Sequence, residues 1–164
     1  MNDIKGSFIA IKDTVTADMI CSSKHQNEHD PARLAEHLFE NLDNGVPEKI
    51  APASILIVGD SFGRGMVGDV PVRALLAAGI KCVIGVNFER GFYRTGINGG
   101  LALVEADLLA GQLSNGDSIA VNLAEGTITY AGGETTFAPY PKSVRQIIET
   151  GGLVPAVKTQ LGKT

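Results

Sequence analysis

This chain of 164 residues is acidic and moderately apolar: 44% of its residues are hydrophobic, 20% are charged, and its formal net charge is −4. That length suffices for one domain with a substantial core. The negative charge argues against nucleic acid as the main partner, because binding phosphates requires a basic face. Aromatic residues make up only 5% and Trp is absent, which also disfavours a base-stacking surface. No apolar run approaches the length of a membrane span.

The N-terminal third of the sequence predicts a strand, a polar loop and a helix. Ser7 to Lys12 alternates loosely between apolar and polar residues and indicates a short strand, followed by a turn-like stretch that reaches Asp18. Ser22 to Asp30 shows no periodicity and is expected to be a loop. Asp30 and Pro31 then predict a helix start, because Asp caps a helix N-terminus and Pro suits the first turn. The apolar stripe and the expected end of this helix are marked by Leu34, Leu38, Phe39, Leu42, Gly45 and Pro47.

The middle of the chain alternates strands and helices. Ser54 to Val58 and Ile80 to Val86 are continuous apolar runs, which predict strands buried on both faces. Between them lie a glycine-rich loop from Gly59 to Asp69 and a helix from Val70 to Ala78. This order predicts parallel strands joined by a right-handed crossover. The next predicted elements are a short helix or turn over Glu89–Asn98 and a strand over Leu101–Val104.

The last third of the chain changes character. Alternating apolar and polar residues over Asp117–Leu123 and Thr127–Tyr130, with glycines between them, predict an antiparallel region. Asp107–Leu113 and Ser143–Thr150 are interpreted as helices, the second stopped by two glycines. No linker, repeat or low-complexity stretch is present. We therefore expect residues 1–164 to form a single α/β domain, with a parallel βαβ core and added antiparallel hairpins.

The two cysteines, Cys21 and Cys82, lie in apolar surroundings and form no metal-binding pair. We expect both to be buried free thiols in a reducing compartment. Two thiols cannot supply the three or four ligands of an iron–sulfur cluster. The N-terminal apolar run is short and is interrupted by Lys12 and Asp13, unlike a signal peptide. These features predict a cytoplasmic protein.

The stretch Gly63-Arg64-Gly65-Met66-Val67-Gly68 matches the G-x-G-x-x-G pattern of dinucleotide-binding loops. Its position argues against that function, because the motif begins well past Gly59 at the strand end. An acidic residue at the required distance would be Glu89, which lies past the next strand. Two alternatives remain open. Either the N–H groups of the loop bind an anion, with Arg64 and Arg73 adding charge, or the segment is a plain tight turn.

Three neighbouring side chains in the polar loop, His25, Glu28 and His29, look like a fragment of a metal site. Nothing near them in the sequence completes a ligand set. A solvated loop is the simpler interpretation, and we expect no metal site in this chain. His37 lies within the predicted helix and is expected at its surface.

The order of several segments along the chain matches that of a known protein family. The segments are Asp13, Asp18 and Ile20, then LAEHLFENL, ILIVGDSFGRG, ALLAAGIKCVIGVNFERGFYRTGINGGLALVE and IIETGGLVPAVK. Together they resemble the family of 3-isopropylmalate dehydratase small subunits, the swivel domain of the aconitase superfamily. The resemblance runs from about Gly6 to Lys158 with almost no gaps. In its middle section the matching positions include Phe62, Gly63, Gly65, Gly79, Phe88, Phe92, Tyr93, Asn98 and Gly100.

The resemblance implies a fold, a partner and an activity. The implied fold is a β/β/α swivel domain, and the implied partner is a large subunit that carries a [4Fe–4S] cluster. In this family the two subunits dehydrate and rehydrate a hydroxy di- or tricarboxylic acid, in leucine biosynthesis. One iron acts as Lewis acid and a serine of the swivel domain acts as base. The swivel domain also helps to bind the substrate carboxylates.

The glycine loop departs from the family pattern G-x-G-S-S-R. Met66 stands at the position of the base serine, Val67 at the second serine and Gly68 at the carboxylate-binding arginine. A thioether cannot accept the proton, and glycine offers no side chain. Three interpretations stay open: a divergent hydro-lyase with another base, a non-catalytic or regulatory paralogue that still docks on a large subunit, and a stand-alone carboxylate- or anion-binding module.

The expected substrate-binding residues lie in the glycine loop and in the segment before the first helix. Asp18 matches an acid of the family, and the alternative is that it caps a turn. Lys24 falls near a family arginine in a loop that contacts substrate, although loop lysines are usually just solvated. The catalytic base is unknown. The expected substrate-binding set is Asp18, Lys24, Gly63, Arg64, Gly65, Met66, Val67 and Gly68.

Overall fold

A computed structural model describes residues 3–42, 54–108 and 117–162. The strands are β1 (Ile4–Ile11), β2 (Ile55–Val58), β3 (Cys82–Gly85), β4 (Ala102–Glu105), β5 (Ser118–Asn122), β6 (Thr127–Tyr130) and β7 (Gly133–Thr136). The helices are α1 (Ala17–Ile20), α2 (Pro31–Glu36), α3 (Val70–Ala77), α4 (Arg90–Asn98), α5 (Lys142–Glu149) and α6 (Leu153–Gln160), and a 3₁₀ turn spans Ser23–His25. The strands of these ranges form one sheet in the order β4–β3–β2–β1–β5–β6–β7.

Strands β1 to β4 form the parallel half of the sheet. β1 pairs with β2, β2 with β3 and β3 with β4, and Ile57 of β2 lies opposite Ile84 of β3. Every residue of β2 and β3 is buried. Both faces of these strands are therefore covered, which confirms the prediction from their continuous apolar runs.

The antiparallel half of the sheet begins where β1 pairs with β5 and continues through β6 and β7. Along β5 the buried residues Ile119 and Val121 alternate with less buried neighbours, as predicted. Strand β7 was not predicted, because its sequence Gly-Glu-Thr-Thr contains no apolar residue to mark a face. It is formed by pairing with β6. The mixed sheet with its helices confirms the predicted α/β class.

Helix α2 begins where the sequence predicts and ends earlier. The Asp30 carboxylate accepts the N–H of Ala32 at 3.0 Å, so Asp30 caps the helix. The helix ends at Glu36, and Phe39 follows with φ of 57°, in the left-handed region. In that conformation the Phe39 N–H donates to the carbonyl of Ile20 at 2.8 Å. The chain after α2 therefore folds back onto the end of α1.

Burial follows the sequence prediction more closely than the helix boundaries do. The predicted apolar stripe is buried at Leu34, Leu38 and Phe39 although the helix is short. The helix end expected at Gly45 and Pro47, and most of the helix expected over 107–113, lie outside the described residues. Helix α6 was not predicted. No helix within the described ranges is long and apolar enough to cross a lipid bilayer.

The unit from β2 to β3 positions the glycine-rich loop. Residues 59–69 leave the carboxyl end of β2 and enter α3 at Val70, as predicted. Gly79, with φ of 90°, follows the end of α3 in the left-handed conformation. The loop therefore lies at the carboxyl edge of the parallel strands, which is the edge where α/β sheets usually bind ligands.

Candidate functional site

The beginning of the glycine-rich loop is anchored by two backbone hydrogen bonds. The N–H of Gly63 donates to the Val15 carbonyl at 3.0 Å, and the N–H of Ala17 donates to the Arg64 carbonyl at 2.9 Å. Gly63 has φ of 86°, and a Cβ at this position would overlap the ring of Phe92. Glycine is required here by both the backbone conformation and the space. These contacts fix the loop against the first residues of α1.

The rest of the loop faces solvent. Gly65 has φ of 78°, and a Cβ added there would have no atom within 4 Å. Val67 is 78% exposed, whereas Met66 is partly buried and packs against the edge of the core. The backbone N–H groups of Gly65, Val67 and Gly68 have no acceptor among the residues the structure describes. A row of free N–H groups of this kind can bind an anion.

The two arginines near the loop differ in what they can contribute. Arg64 is exposed, and its guanidinium pairs with no residue of the described ranges. Arg73 donates from Nε to Asp69 Oδ1 at 3.0 Å, and from its two terminal nitrogens to the carbonyls of Glu28 and Gln26 at 2.8 Å each. Arg73 therefore fastens the polar loop to α3, and Arg64 is left as the cation available to a ligand.

The side chain of Gln26 occupies the space beside Gly68. Gln26 Nε2 donates to Asp69 Oδ1 at 3.2 Å, and a Cβ on Gly68 would lie 2.7 Å from Gln26 Oε1. Partial burial by itself would raise the pKa of Asp69, but the hydrogen bonds from Arg73 and Gln26 hold that pKa below its ordinary value. A larger residue at position 68 would have to displace Gln26, and it would also have to adopt φ of 76°.

A small cleft of about 70 Å³ joins the loop to α1, and its lining includes Asp18, Cys21, Gly65 and Val67. Folding thus brings Asp18 next to the exposed end of the glycine loop. One oxygen of Asp18 also accepts the N–H of Ser23 at 3.2 Å, so this residue caps the turn after α1 as well. The two interpretations of Asp18 from the sequence are therefore compatible.

Lys24 lies on the 3₁₀ turn and is directed toward another acid. Its side chain is 68% exposed, and its Nζ lies 3.9 Å from Glu40 Oε1. It is absent from the described lining of the cleft, which includes its neighbour Ser23. To reach a ligand bound at the glycine loop, Lys24 would have to leave Glu40.

A second polar cluster consists of His25, His37 and Glu40. His25 Nε2 lies 2.7 Å from Glu40 Oε1, and His37 Nδ1 lies 2.9 Å from Glu40 Oε2. The two imidazole rings stack with centroids 3.7 Å apart and planes inclined by 10°. Hydrogen bonds with His25 and His37 lower the pKa of Glu40. One carboxylate is thus shared by two imidazoles.

This cluster differs from the one that the sequence suggested. Glu28, which the sequence placed beside His25 and His29, accepts the N–H of Asp30 at 3.0 Å instead. The spacing of His37 and Glu40, three residues apart, was visible in the sequence. The approach of His25 was not, because it depends on the reversal of the chain at Phe39.

Sequence comparison gives the family. The chain is 34% identical over 160 residues to the 3-isopropylmalate dehydratase small subunit of Caldanaerobacter subterraneus subsp. tengcongensis. This alignment covers 96% of this chain and 99% of that protein. It is 35% identical over 161 residues to the protein of the same name from Caldicellulosiruptor saccharolyticus, covering 97% and 93%. This chain belongs to the 3-isopropylmalate dehydratase small-subunit family. The resemblance seen in the sequence, and the hydro-lyase small subunit it implied, are confirmed.

The fold also agrees with this family. The crystal structure of 3-isopropylmalate dehydratase (leuD) from Methanocaldococcus jannaschii aligns with a TM-score of 0.85 at 29% identity, covering 97% of this chain and 95% of that one. No protein-family model matches the chain. The family supports the fold and the class of enzyme, whereas the roles expected for Asp18, Lys24 and the glycine loop stay predictions.

Proposed function

We propose that this chain pairs with a large subunit that carries a [4Fe–4S] cluster, and that the two dehydrate a hydroxy-dicarboxylate of the 3-isopropylmalate class. Relatives named for this activity, aligned along almost the whole of both chains, support the proposal. The observation that carries it is the cleft in which the free end of the glycine loop meets Asp18. A carboxylate bound there would be held at the carboxyl edge of the sheet.

The cluster is assigned to the large subunit because the thiols of this chain do not fit one. The two cysteines of the sequence, Cys21 and Cys82, are buried and unpaired. Burial raises the pKa of Cys21 to about 11 and that of Cys82 to about 12, so both are neutral thiols at pH 7. A cluster requires three or four thiolates that it can reach. Two unpaired thiols also support a cytoplasmic location.

Within this proposal the glycine loop binds a substrate carboxylate. The free N–H groups of Gly65, Val67 and Gly68 donate to the carboxylate oxygens, and Arg64 adds a charge-assisted hydrogen bond. The absence of a side chain at Gly65 lets the ligand approach the backbone. Asp18, across the cleft, accepts a hydrogen bond from a hydroxyl group of the substrate.

The base of such a reaction is not Met66, although that residue stands where the family has its serine. A thioether does not take a proton at neutral pH, and the Met66 side chain packs against the core. A working enzyme therefore needs a base elsewhere. The same observation favours a second candidate function, a small subunit that docks on a large subunit without turnover.

Co-expression with a candidate large subunit from the same genome distinguishes the two candidates. The complex is purified anaerobically, its cluster is reconstituted, and formation of the unsaturated acid is followed by absorbance over a panel of malate derivatives. Turnover that requires both chains supports the hydro-lyase. A stable complex without turnover supports the non-catalytic subunit. The lack of any complex would contradict both and favour a stand-alone carboxylate-binding module.

Substitution of Arg64 tests its place in the site. Arg64→Ala is expected to raise KM by about 10- to 100-fold, because a charge-assisted hydrogen bond contributes about 1.5–3 kcal/mol. The matched control is Arg33→Ala on α2, which removes another exposed arginine whose partner is Asp30 at 3.8 Å. Equal kinetics for the wild type and Arg64→Ala would remove Arg64 from the proposed site.

A further inference from the structure

We propose that His25, His37 and Glu40 form a binding site for a divalent transition-metal ion of the zinc class. The candidate ligand atoms are one ring nitrogen of each histidine and one carboxylate oxygen, and all of them lie within 4.8 Å of one another. This site is separate from the cleft at the glycine loop, so the inference does not rest on the proposed function.

The donor set matches the chemistry of zinc. Two imidazole nitrogens and one glutamate oxygen make up a known protein ligand set for this ion, which completes four-coordination with a water molecule. Imidazole favours zinc, nickel and copper over magnesium and calcium, which prefer oxygen ligands. The side chains of His25, His37 and Glu40 are 15%, 32% and 29% exposed. The site is thus partly shielded but open enough for entry of the ion and for a water ligand.

The hydrogen bonds within the cluster already converge on one carboxylate. His25 Nε2 and His37 Nδ1 approach different oxygens of Glu40 at 2.7 and 2.9 Å. A metal ion can replace the two hydrogen-bonding protons when each imidazole carries its proton on the ring nitrogen that faces away from Glu40. The stacked rings must also tilt, because nearly parallel planes direct the two lone pairs side by side rather than toward one point. Zinc–ligand distances of about 2.0–2.2 Å then place the ion between the three atoms.

The backbone reversal that creates the cluster is conformationally unfavourable. Phe39 is a bulky residue with φ of 57°, a region that such residues rarely adopt. Its buried ring and its hydrogen bond to Ile20 hold it there. The result is that Glu40 turns back toward His37 and His25. Backbone strain of this kind is found preferentially at binding sites.

An ion at this site would connect the 3₁₀ turn to the residues that follow α2. Gln26, the next residue after His25, contacts Asp69 beside the glycine loop. Arg73 binds the carbonyls of Gln26 and Glu28 in the same segment. A metal ion would therefore restrict the segment that packs against the glycine loop.

The experiment uses the full chain, stripped with a chelator and titrated with zinc chloride by calorimetry. We expect one zinc ion per chain and a melting temperature raised by about 5 °C or more at a hundredfold excess over Kd. Cobalt should give the visible absorption bands of a four-coordinate site, and magnesium should give no heat of binding. If the stripped chain binds no zinc, the three side chains only hydrogen-bond to one another, and the proposal is overturned.

Three variants make the assignment specific. His37→Ala and Glu40→Gln are each expected to weaken zinc binding by at least about tenfold, since even outer-shell losses have effects of that size. Glu40→Gln keeps a hydrogen-bonding group at the site, and it serves as the decisive variant if His37→Ala does not fold. The control is His29→Ala, which removes an exposed histidine outside the cluster and should bind zinc like the wild type. Unchanged binding in Glu40→Gln, or loss in His29→Ala, would show a different site and overturn the assignment.

Discussion

At its beginning the glycine-rich loop is packed against the core, and at its end it is exposed. Gly63 is held to Val15 by a hydrogen bond and leaves no room for a Cβ beside Phe92. Gly65, two residues later, has a similar φ but open space around it. The same residue type thus serves packing at one position and only backbone conformation at the other.

The divergence of the loop that is predicted from the sequence is compatible with this difference in packing. Met66 and Val67, which are predicted from the sequence to stand where the family pattern has two serines, lie in the loosely packed end, whereas Gly68 lies against Gln26. Substitutions at Met66 and Val67 change few packing contacts, because Val67 is largely exposed and Met66 is only partly buried.

The strongest test of the comparison replaces the packed glycine. Gly63→Ala is expected to lower the free energy of unfolding by about 3 kcal/mol or more, from the left-handed backbone and the overlap with Phe92 together. In the matched variant Gly65→Ala the new Cβ overlaps no atom, so only the left-handed backbone conformation is unfavourable. Its free energy of unfolding should fall by about 1–2 kcal/mol. Urea denaturation of both proteins measures the two values. Equal losses would mean that the two ends of the loop are alike.

A second test removes the hydrogen bonds by which α3 holds the exposed end of the glycine-rich loop and the polar loop beside it. Arg73→Ala removes the hydrogen bonds to Asp69 and to two backbone carbonyls, and we expect a loss of about 2 kcal/mol. Arg33→Ala, which removes a more exposed arginine, should change stability by less than about 0.5 kcal/mol. If thermal unfolding gives the same loss for both variants, Arg73 does not hold the polar loop.

The smallest expected effect is a dependence on pH. The pKa of Asp69 is below its ordinary value in the folded protein, so its stabilisation is present above the unfolded pKa of about 3.9 and is lost as pH falls through the folded pKa. Because the Asp69 side chain is 52% exposed, we expect less than about 1 kcal/mol. Unfolding free energies of wild type and Asp69→Asn should therefore converge as the pH falls from about 4 through the folded pKa of Asp69. A constant difference over that range would contradict this role of Asp69.

The parts of the fold that the sequence predicts well are those determined by local patterns. The continuous apolar runs identify β2 and β3, and the Asp30-Pro31 pair identifies the start of α2. The end of α2 is determined by a tertiary hydrogen bond between Phe39 and Ile20, which no local pattern contains. Strand β7 has no apolar residue and depends on its neighbour for its structure.

The same division applies to the candidate sites. The glycine loop and Asp18 were singled out by a motif and a family resemblance, and the structure brings them together at one cleft. The hydrogen bonds of Arg73 to the polar loop could not be predicted, since their acceptors are backbone carbonyls of a segment without periodicity. The cluster of His25 with His37 and Glu40 requires the chain reversal, which sequence spacing does not reveal.

The pairing of β1 determines the order in which the chain can complete its sheet during synthesis. Its last residues pair with β2, the next strand of the chain, whereas Ile4 pairs with Val121 of β5, which is made only after β2, β3 and β4. The edge of β1 that pairs with β5 therefore stays open until the four parallel strands have been translated. An open strand edge recruits other chains. We therefore expect β5 to cover this edge late in synthesis, and a chain truncated before residue 118 to leave it unpaired.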